Sequence, residues 1–161
     1  MNRSTFYLRG AGGFSKSSKP YEYANYSPNQ SSVKIPDCKP SFVYEDITKQ
    51  SQALIYRQCG DYNPLYSDPR VAKKAGFPHP ILHGLCTLGF AVRAVTMFCC
   101  NGEPTLVKRI FGQFLSSVYS GEILITEMWI TGTKVIYQTK VKGENAHKVV
   151  LSGYVILKDI R

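Results

Sequence analysis

"ILHGLCTLGFAVRAVTMFCC", residues 81–100, is apolar on nearly every side, with His83 and Arg93 as its polar exceptions. Two readings compete for such a run. A membrane span needs about 20 apolar residues. The arginine past the middle of the run, with glycines at 84 and 89, argues against a span. The other reading is a buried central helix. A helix that is apolar all round needs a surface that covers it all round, and the rest of the chain has to supply it.

Downstream of Gly102 the hydrophobic period changes to two, the signature of strands. Ile110, Phe114 and Val118 fall on one face of a long strand. "EILITEMWI" (122–130) follows across the turn "YSGE" (119–122). In "KVIYQTKVK" (134–142), Val135, Tyr137, Thr139 and Val141 alternate with Gln138, Lys140 and Lys142. "KGEN" turns the chain again, and "KVVLSGYVIL" (148–157) is apolar on both faces, as an interior strand is.

Upstream, residues 15–41 are rich in Ser, Pro, Asn, Lys and Tyr without periodicity and read as linker or wrapped coil. A short helix is expected from about Thr48 to Gln58, with Thr48 as its N-cap and Ala53, Leu54 and Tyr56 on its buried face. "SDPRVAKKAGF" suits a second short helix, with Pro69 in its first turn and Gly76 at its end. The expected order is helices first, then an antiparallel meander. This is an α+β fold in which a strongly curved antiparallel sheet wraps a long central helix.

At 161 residues the chain is long enough for one domain with a real core. The net charge of +9 favours anionic partners: nucleic acid, an anionic membrane or a phosphate-bearing small molecule. The basic residues are scattered, with only Lys73-Lys74 and Lys108-Arg109 adjacent, and no nucleic-acid motif accompanies them. No nucleic-acid partner is therefore expected. The five cysteines (Cys38, Cys59, Cys86, Cys99 and Cys100) are odd in number and include no C-x-x-C pair. That is reducing-compartment usage, with no disulfide framework and no metal site expected. The first residues carry Arg3, Arg9 and several serines, a composition close to that of a transit peptide, but "GAGG" (10–13) would break its helix.

Chemistry concentrates at "QCGDYNPLYSDP" (58–69) and at "FPHPILHGLCTLG" (77–89). In the first, Gly60 and Pro64 force a tight corner on which Asp61, Asn63 and Tyr66 can converge. Asp, Asn and Pro are also ordinary turn formers that cap backbone amides, and that reading stays open. In the second, His83 and Gly84 open the long helix. Its first-turn N–H groups and partial positive charge can hold an oxyanion, and a glycine there admits a substrate oxygen. Equally, Gly84 can serve close packing, and His83 can be a satisfied buried histidine. Cys86 sits at i+3 from His83, but nothing in the sequence points to an activated thiol.

Together, "GDYNPLYSDP…AGFPHPILHGLCTLGF" resembles the signature of the MaoC-like, type-2 (R)-specific enoyl-CoA hydratases. "YSGEILITEMW" and "VIYQTKVK" resemble the catalytic C-terminal half of the eukaryotic peroxisomal members. The resemblance covers about residues 42–158 and implies the hot-dog fold, a long helix wrapped by an antiparallel sheet. It implies a lyase that adds water across the double bond of an enoyl thioester. No cofactor is implied beyond the CoA of the substrate.

Carried over residue by residue, the resemblance places the catalytic acid at Asp61, the supporting amide at Asn63 and the oxyanion N–H at Gly84 beside His83. Tyr66 stands where the family motif, G-D-x-N-P-L-H, has its histidine. A phenol of pKa near 10 donates a proton or a hydrogen bond but is a poor base, unlike an imidazole. "FYLRGAGGFS" resembles the end of an upstream half-domain, which makes residues 1–41 a remnant of that half plus linker and 42–161 the hot-dog domain. A lone hot-dog leaves a sheet edge open, so a homodimer is expected. The resemblance implies a peroxisomal location, although "KDIR" is not an SKL-type signal and a cytosolic location stays open.

Three functions fit these residues: a hydratase or dehydratase with Asp61 as general base, a lyase, isomerase or cyclase that uses a nucleophile on the substrate itself, and a non-catalytic partner subunit.

Overall fold

The computed structural model describes residues 33–144 and 146–158. The order is β1 (Phe42–Ile47), α1 (Gln52–Arg57), α2 (Pro69–Lys74), α3 (Gly84–Cys99), β2 (Val107–Phe114), β3 (Ile123–Thr131), β4 (Lys134–Val141) and β5 (Lys148–Leu157). One five-stranded sheet has the order β1-β3-β4-β5-β2, every pairing antiparallel. The sheet carries α3 on one face, so the expected α+β hot-dog architecture stands.

β4 is buried at every second residue, at Val135, Tyr137, Thr139 and Val141, as its sequence period requires. β5 is an interior strand, buried on both faces between β4 and β2. The register places Met128 opposite Tyr137, and Tyr137 opposite Gly153. Gly153 is in turn opposite Gly112 on β2, and these two glycines leave a slot on the core face. The fully buried Tyr137 ring lies across it and donates its hydroxyl to the Phe111 carbonyl at 2.9 Å. A Cβ at Gly153 would strike both the Phe111 carbonyl oxygen and the Tyr137 hydroxyl.

α3 approaches the sheet closely because its inner face is made of small residues. Ala91, Ala94 and Val95 are wholly buried, with Cys86 beside them in the same core cluster. Cover all round is not realised, however. Leu85, Gly89, Arg93 and Met97 recur every fourth residue and form an exposed stripe on the helix. A single sheet reaches only one side of a helix, and the apolar character of the opposite side needs another explanation. α3 spans 16 residues, and no helix among the described residues is long and apolar enough to cross a membrane.

Four local expectations need correction. The helices do not come first, because β1 precedes them and pairs with β3. β2 leaves the meander order by pairing with β5 at the opposite edge. Val118 lies beyond β2, which ends at Phe114, although it is buried as its pattern suggested. Thr48 is not a helix cap. Its hydroxyl donates to Glu122 O at 2.9 Å and accepts from Gly121 N at 2.8 Å, pinning the end of β1 to the turn before β3. α1 accordingly starts later, at Gln52, with Ala53 buried but Leu54 exposed. α2 forms as expected, with Pro69 in its first turn and Gly76 in the left-handed region just past its end.

Residues 33–41 form no regular structure, and Cys38 accepts a hydrogen bond from the Trp129 indole at 2.8 Å. The readings of residues 1–14, and of most of the linker, lie outside the described residues.

Candidate functional site

The corner after α1 is built from nested side-chain turns. Gly60, at φ +105°, releases the chain from the helix. Asp61 Oδ1 accepts from Asn63 N at 3.2 Å, and Asn63 Oδ1 accepts from Leu65 N at 3.0 Å. A 3-10 turn follows over Pro64–Tyr66, and then Asp68 caps α2 by accepting from Arg70 N at 2.8 Å. Each acid and amide is thus a turn former, as the plain reading of their residue types holds. For Asn63 this occupies the side-chain oxygen. For Asp61 it occupies one oxygen and leaves Oδ2 for other work.

That second oxygen faces His83. Nε2 of His83 lies 3.7 Å from Asp61 Oδ2 and 3.4 Å from the Asp61 carbonyl oxygen. Only the latter is within hydrogen-bond reach, and it is long. Oxygens close to Nε2 favour the tautomer with its proton there. The imidazole is only 2% exposed. Two phenol rings pack against it, Tyr66 stacked at a centroid distance of 3.6 Å and Tyr56 tilted at 4.7 Å. Its Nδ1 is buried without a hydrogen-bond partner among the described residues.

His83 is also the N-cap residue of α3, and Gly84 is the first residue of the helix. First-turn amides of a helix have no partner within it. Two readings were open for Gly84, an oxyanion N–H and close packing. A Cβ there would sit 3.3 Å from the Phe114 ring, so the glycine eases a tight contact, and its amide lies in the first turn of the helix.

The half-buried Tyr66 has its pKa raised, first by burial and then by the Asp61 charge. It stays a neutral phenol at physiological pH. Burial is also the main influence on Cys86, whose thiol is pushed up to about 11. Burial keeps this thiol protonated near neutral pH, which gives no support to a nucleophilic Cys86–His83 pair.

The structure therefore brings Asp61, Tyr66, His83 and Gly84 together, and turns the Asn63 oxygen back into its own loop. Two residues at the site were expected only as parts of a helix. Tyr56 packs tilted against His83, and its pKa is raised by burial and then by neighbouring groups that include Cys59, Cys86, Asp61 and Tyr66. Arg57 reaches over the corner to Ser67 and Tyr62. No local sequence signal marked either residue for the site, because the work of a long side chain is set by where its tip lands. From Tyr56 an open cleft of about 260 Å³ runs along the exposed stripe of α3, past Leu85 and Gly89 to Arg93. A second, of about 380 Å³, is lined by Arg93, Lys49 and Asp46 among others.

Residues 31–151 match the family described as MaoC like domain. The chain is 60% identical over 161 residues to the peroxisomal enoyl-CoA hydratase 2 of Arabidopsis thaliana, covering 99% of this chain and 52% of that protein. It is 39% identical to a probable enoyl-CoA hydratase 2 of Dictyostelium discoideum, with the same two coverages. The chain thus spans about half the length of these curated relatives. Among solved structures, full-length peroxisomal multifunctional enzyme type 2 from Drosophila melanogaster superposes with a TM-score of 0.75 at 40% identity, over 82% of this chain and 25% of that one. A MaoC-like dehydratase from Phytophthora capsici also gives 0.75, at 38% identity, over 80% and 45%.

Proposed function

The chain belongs to the MaoC-like family, and from that premise we propose that it is a hydro-lyase-type enzyme acting on an enoyl-CoA thioester, with Asp61 as general base. The observation that carries this reading is the convergence of the Asp61 carboxylate and the Tyr66 ring on His83 at the start of α3, 3.7 and 3.6 Å from it.

The thioester carbonyl lies against the Gly84 amide, where the helix N-terminus favours negative charge. Asp61 Oδ2 takes a proton from water as the water oxygen bonds to the β carbon. The electron pair of the double bond moves onto the thioester as an enolate. A proton then reaches the α carbon from the Tyr66 phenol, which recovers it from Asp61. Replacing one of two cooperating proton-transfer groups by a poorer one costs on the order of 100- to 10,000-fold in rate. Hydration is therefore slow in this chain. No cofactor takes part.

A second reading is favoured by one feature, the Tyr66 ring packed directly over His83. A phenol is larger than an imidazole and occupies space a water would use. A nucleophile carried by the substrate could then add in place of water and close a ring. Oxygen-18 water separates the readings. With 2-enoyl-CoA thioesters, hydration puts the label at the β carbon in an Asp61-dependent reaction. Conversion without label supports the second reading. No conversion of any thioester would leave a non-catalytic partner subunit.

Residues 1–41 are read in the same frame as the tail of an upstream half and its linker, and 42–161 as the hot-dog domain. The location is that of the peroxisomal relatives. The exposed stripe on α3 and the outer edges of β1 and β2, unpaired among the described residues, suit a homodimer.

A further inference from the structure

We infer that Arg57 is a positioning residue for this reaction, setting the separation between Asp61 and Tyr66; the inference rests on the proposed function above. Arg57 is the last residue of α1. One arm of its guanidinium, Nη2, donates to the Tyr62 carbonyl at 3.1 Å, and the other, Nη1, donates to Ser67 Oγ. The guanidinium carbon also stands 5.9 Å from the centre of the Tyr62 ring. Tyr62 directly follows Asp61, and Ser67 directly follows Tyr66. Each proposed proton-transfer residue is thus one peptide away from an Arg57 contact.

The corner's own hydrogen bonds do not do this work. They join Asp61 to Asn63, Asn63 to Leu65 and Tyr66, and Pro64 to Ser67 and Asp68. Each shapes one turn, and none ties the Asp61 arm to the arm beyond Tyr66. Arg57 does, and it is fixed to the scaffold. α1 is docked by buried Ala53, whose amide donates to Ser120 Oγ at 3.2 Å. His83 touches both Asp61 and Tyr66, but a ring face allows sliding, whereas a planar guanidinium donates in fixed directions. Lysine, a point charge on a flexible stem, cannot hold both arms at once.

Misplacing a reacting group by about 1 Å costs on the order of 100-fold in rate. Substrate binding that is equal in ground and transition states is untouched, so the loss falls on kcat and not on KM. The test uses the full chain with Arg57→Lys and Ser67→Ala. Its first readout needs no turnover. The Tyr66 ring current shifts the imidazole C–H signals of His83, one of only 3 histidines. The account expects Arg57→Lys to lose much of that shift, and on crotonyl-CoA to lower kcat by about 30- to 100-fold with KM within about twofold. Ser67→Ala, which leaves the Tyr62 contact, should show a smaller change in the same direction.

Arg57→Lys with the shift and kcat of the parent would overturn the inference. Where the parent does not turn over crotonyl-CoA, the hydratase reading fails, and the His83 signals alone decide: shift lost supports the strut, shift kept refutes it. Where Arg57→Lys does not fold, Ser67→Ala decides by the same readouts.

Discussion

The Tyr66 ring lies face to face with the His83 imidazole, with centroids 3.6 Å apart and 26° between the planes. His83 is 2% exposed, so Tyr66 is the member of the pair that is open to solvent. An imidazole at position 66 could keep the stack and would add a group able to act as acid or base near neutral pH. Tyr66→His should therefore raise crotonyl-CoA hydration by at least about tenfold, equivalent to ~1.4 kcal/mol of barrier. Robust hydration by the unmodified chain, or no response to the substitution, would contradict this account of Tyr66. Tyr66→Phe keeps the ring and removes the hydroxyl, and the size of its loss reports whether the phenol is the acid.

The glycine slot beneath Tyr137 makes a stability prediction. Overpacking a core costs about 1–3 kcal/mol, occasionally more. Gly153→Ala should reach the top of that range or exceed it, because the Phe111 carbonyl it would strike is backbone. Gly112→Ala meets side-chain atoms alone, Leu88 and the Tyr137 hydroxyl at 3.1 Å and Leu151 at 3.4 Å, and should cost less. Urea melts of the two variants give the order directly, and equal stabilities would contradict it.

Alkaline pH should unfold this chain earlier than its surface would suggest. Burial raises the pKa of Tyr137 well above the ordinary phenol value, and burial is also the largest cause of the upward shifts of Tyr56 and Tyr66. Unfolded, all three titrate near 10. Above that pH the unfolded state releases protons that the native state keeps. Stability is fully present below about pH 10 and falls as pH rises, by up to about 1.4 kcal/mol per pH unit for each proton difference. Denaturant melts between pH 8 and roughly 11 should show the decline, with a shallower slope in Tyr137→Phe. A flat profile in the parent chain would count against the burial of Tyr137.

The stripe of Leu85, Gly89, Arg93 and Met97 bears on assembly. Sedimentation at micromolar concentration should find a species of twice the 18.1 kDa chain mass. Leu85→Glu should shift the population toward monomer. A purely monomeric parent would refute the homodimer.

The long helix, the alternation of β4, the doubly buried β5 and the second short helix were legible because each is marked locally, by an apolar run, a period of two or, at Pro69 and Gly76, start and stop residues. β1 was not. "FVYEDI" is a six-residue strand whose sheet partner among the described residues, β3, lies some 80 residues away, so it leaves no strong mark on its own sequence. Thr48 was misread for a related reason. A threonine just before a helix is a common N-cap, and only the long-range turn at Gly121 and Glu122 claims its hydroxyl instead.

At the site, residue types marked Asp61, Asn63, Tyr66, His83 and Gly84 as candidates, and the family resemblance supplied their proposed roles. They could not reveal that His83 lies beneath Tyr66, or that Asn63 spends its oxygen on Leu65 N. Arg57 was invisible for the same reason as Thr48: the work of a long side chain is set by where its tip lands.

The central claim is that a carboxylate at position 61 does the chemistry of this corner. Asp61→Asn is the direct test. Asparagine keeps an oxygen to accept from Asn63 N, so the turn and the fold should persist by circular dichroism. It cannot take a proton from water. On whichever enoyl thioester the parent turns over fastest, Asp61→Asn should lower kcat by at least about 100-fold. Full turnover by Asp61→Asn on that substrate would contradict the account and leave Asp61 as a turn former alone.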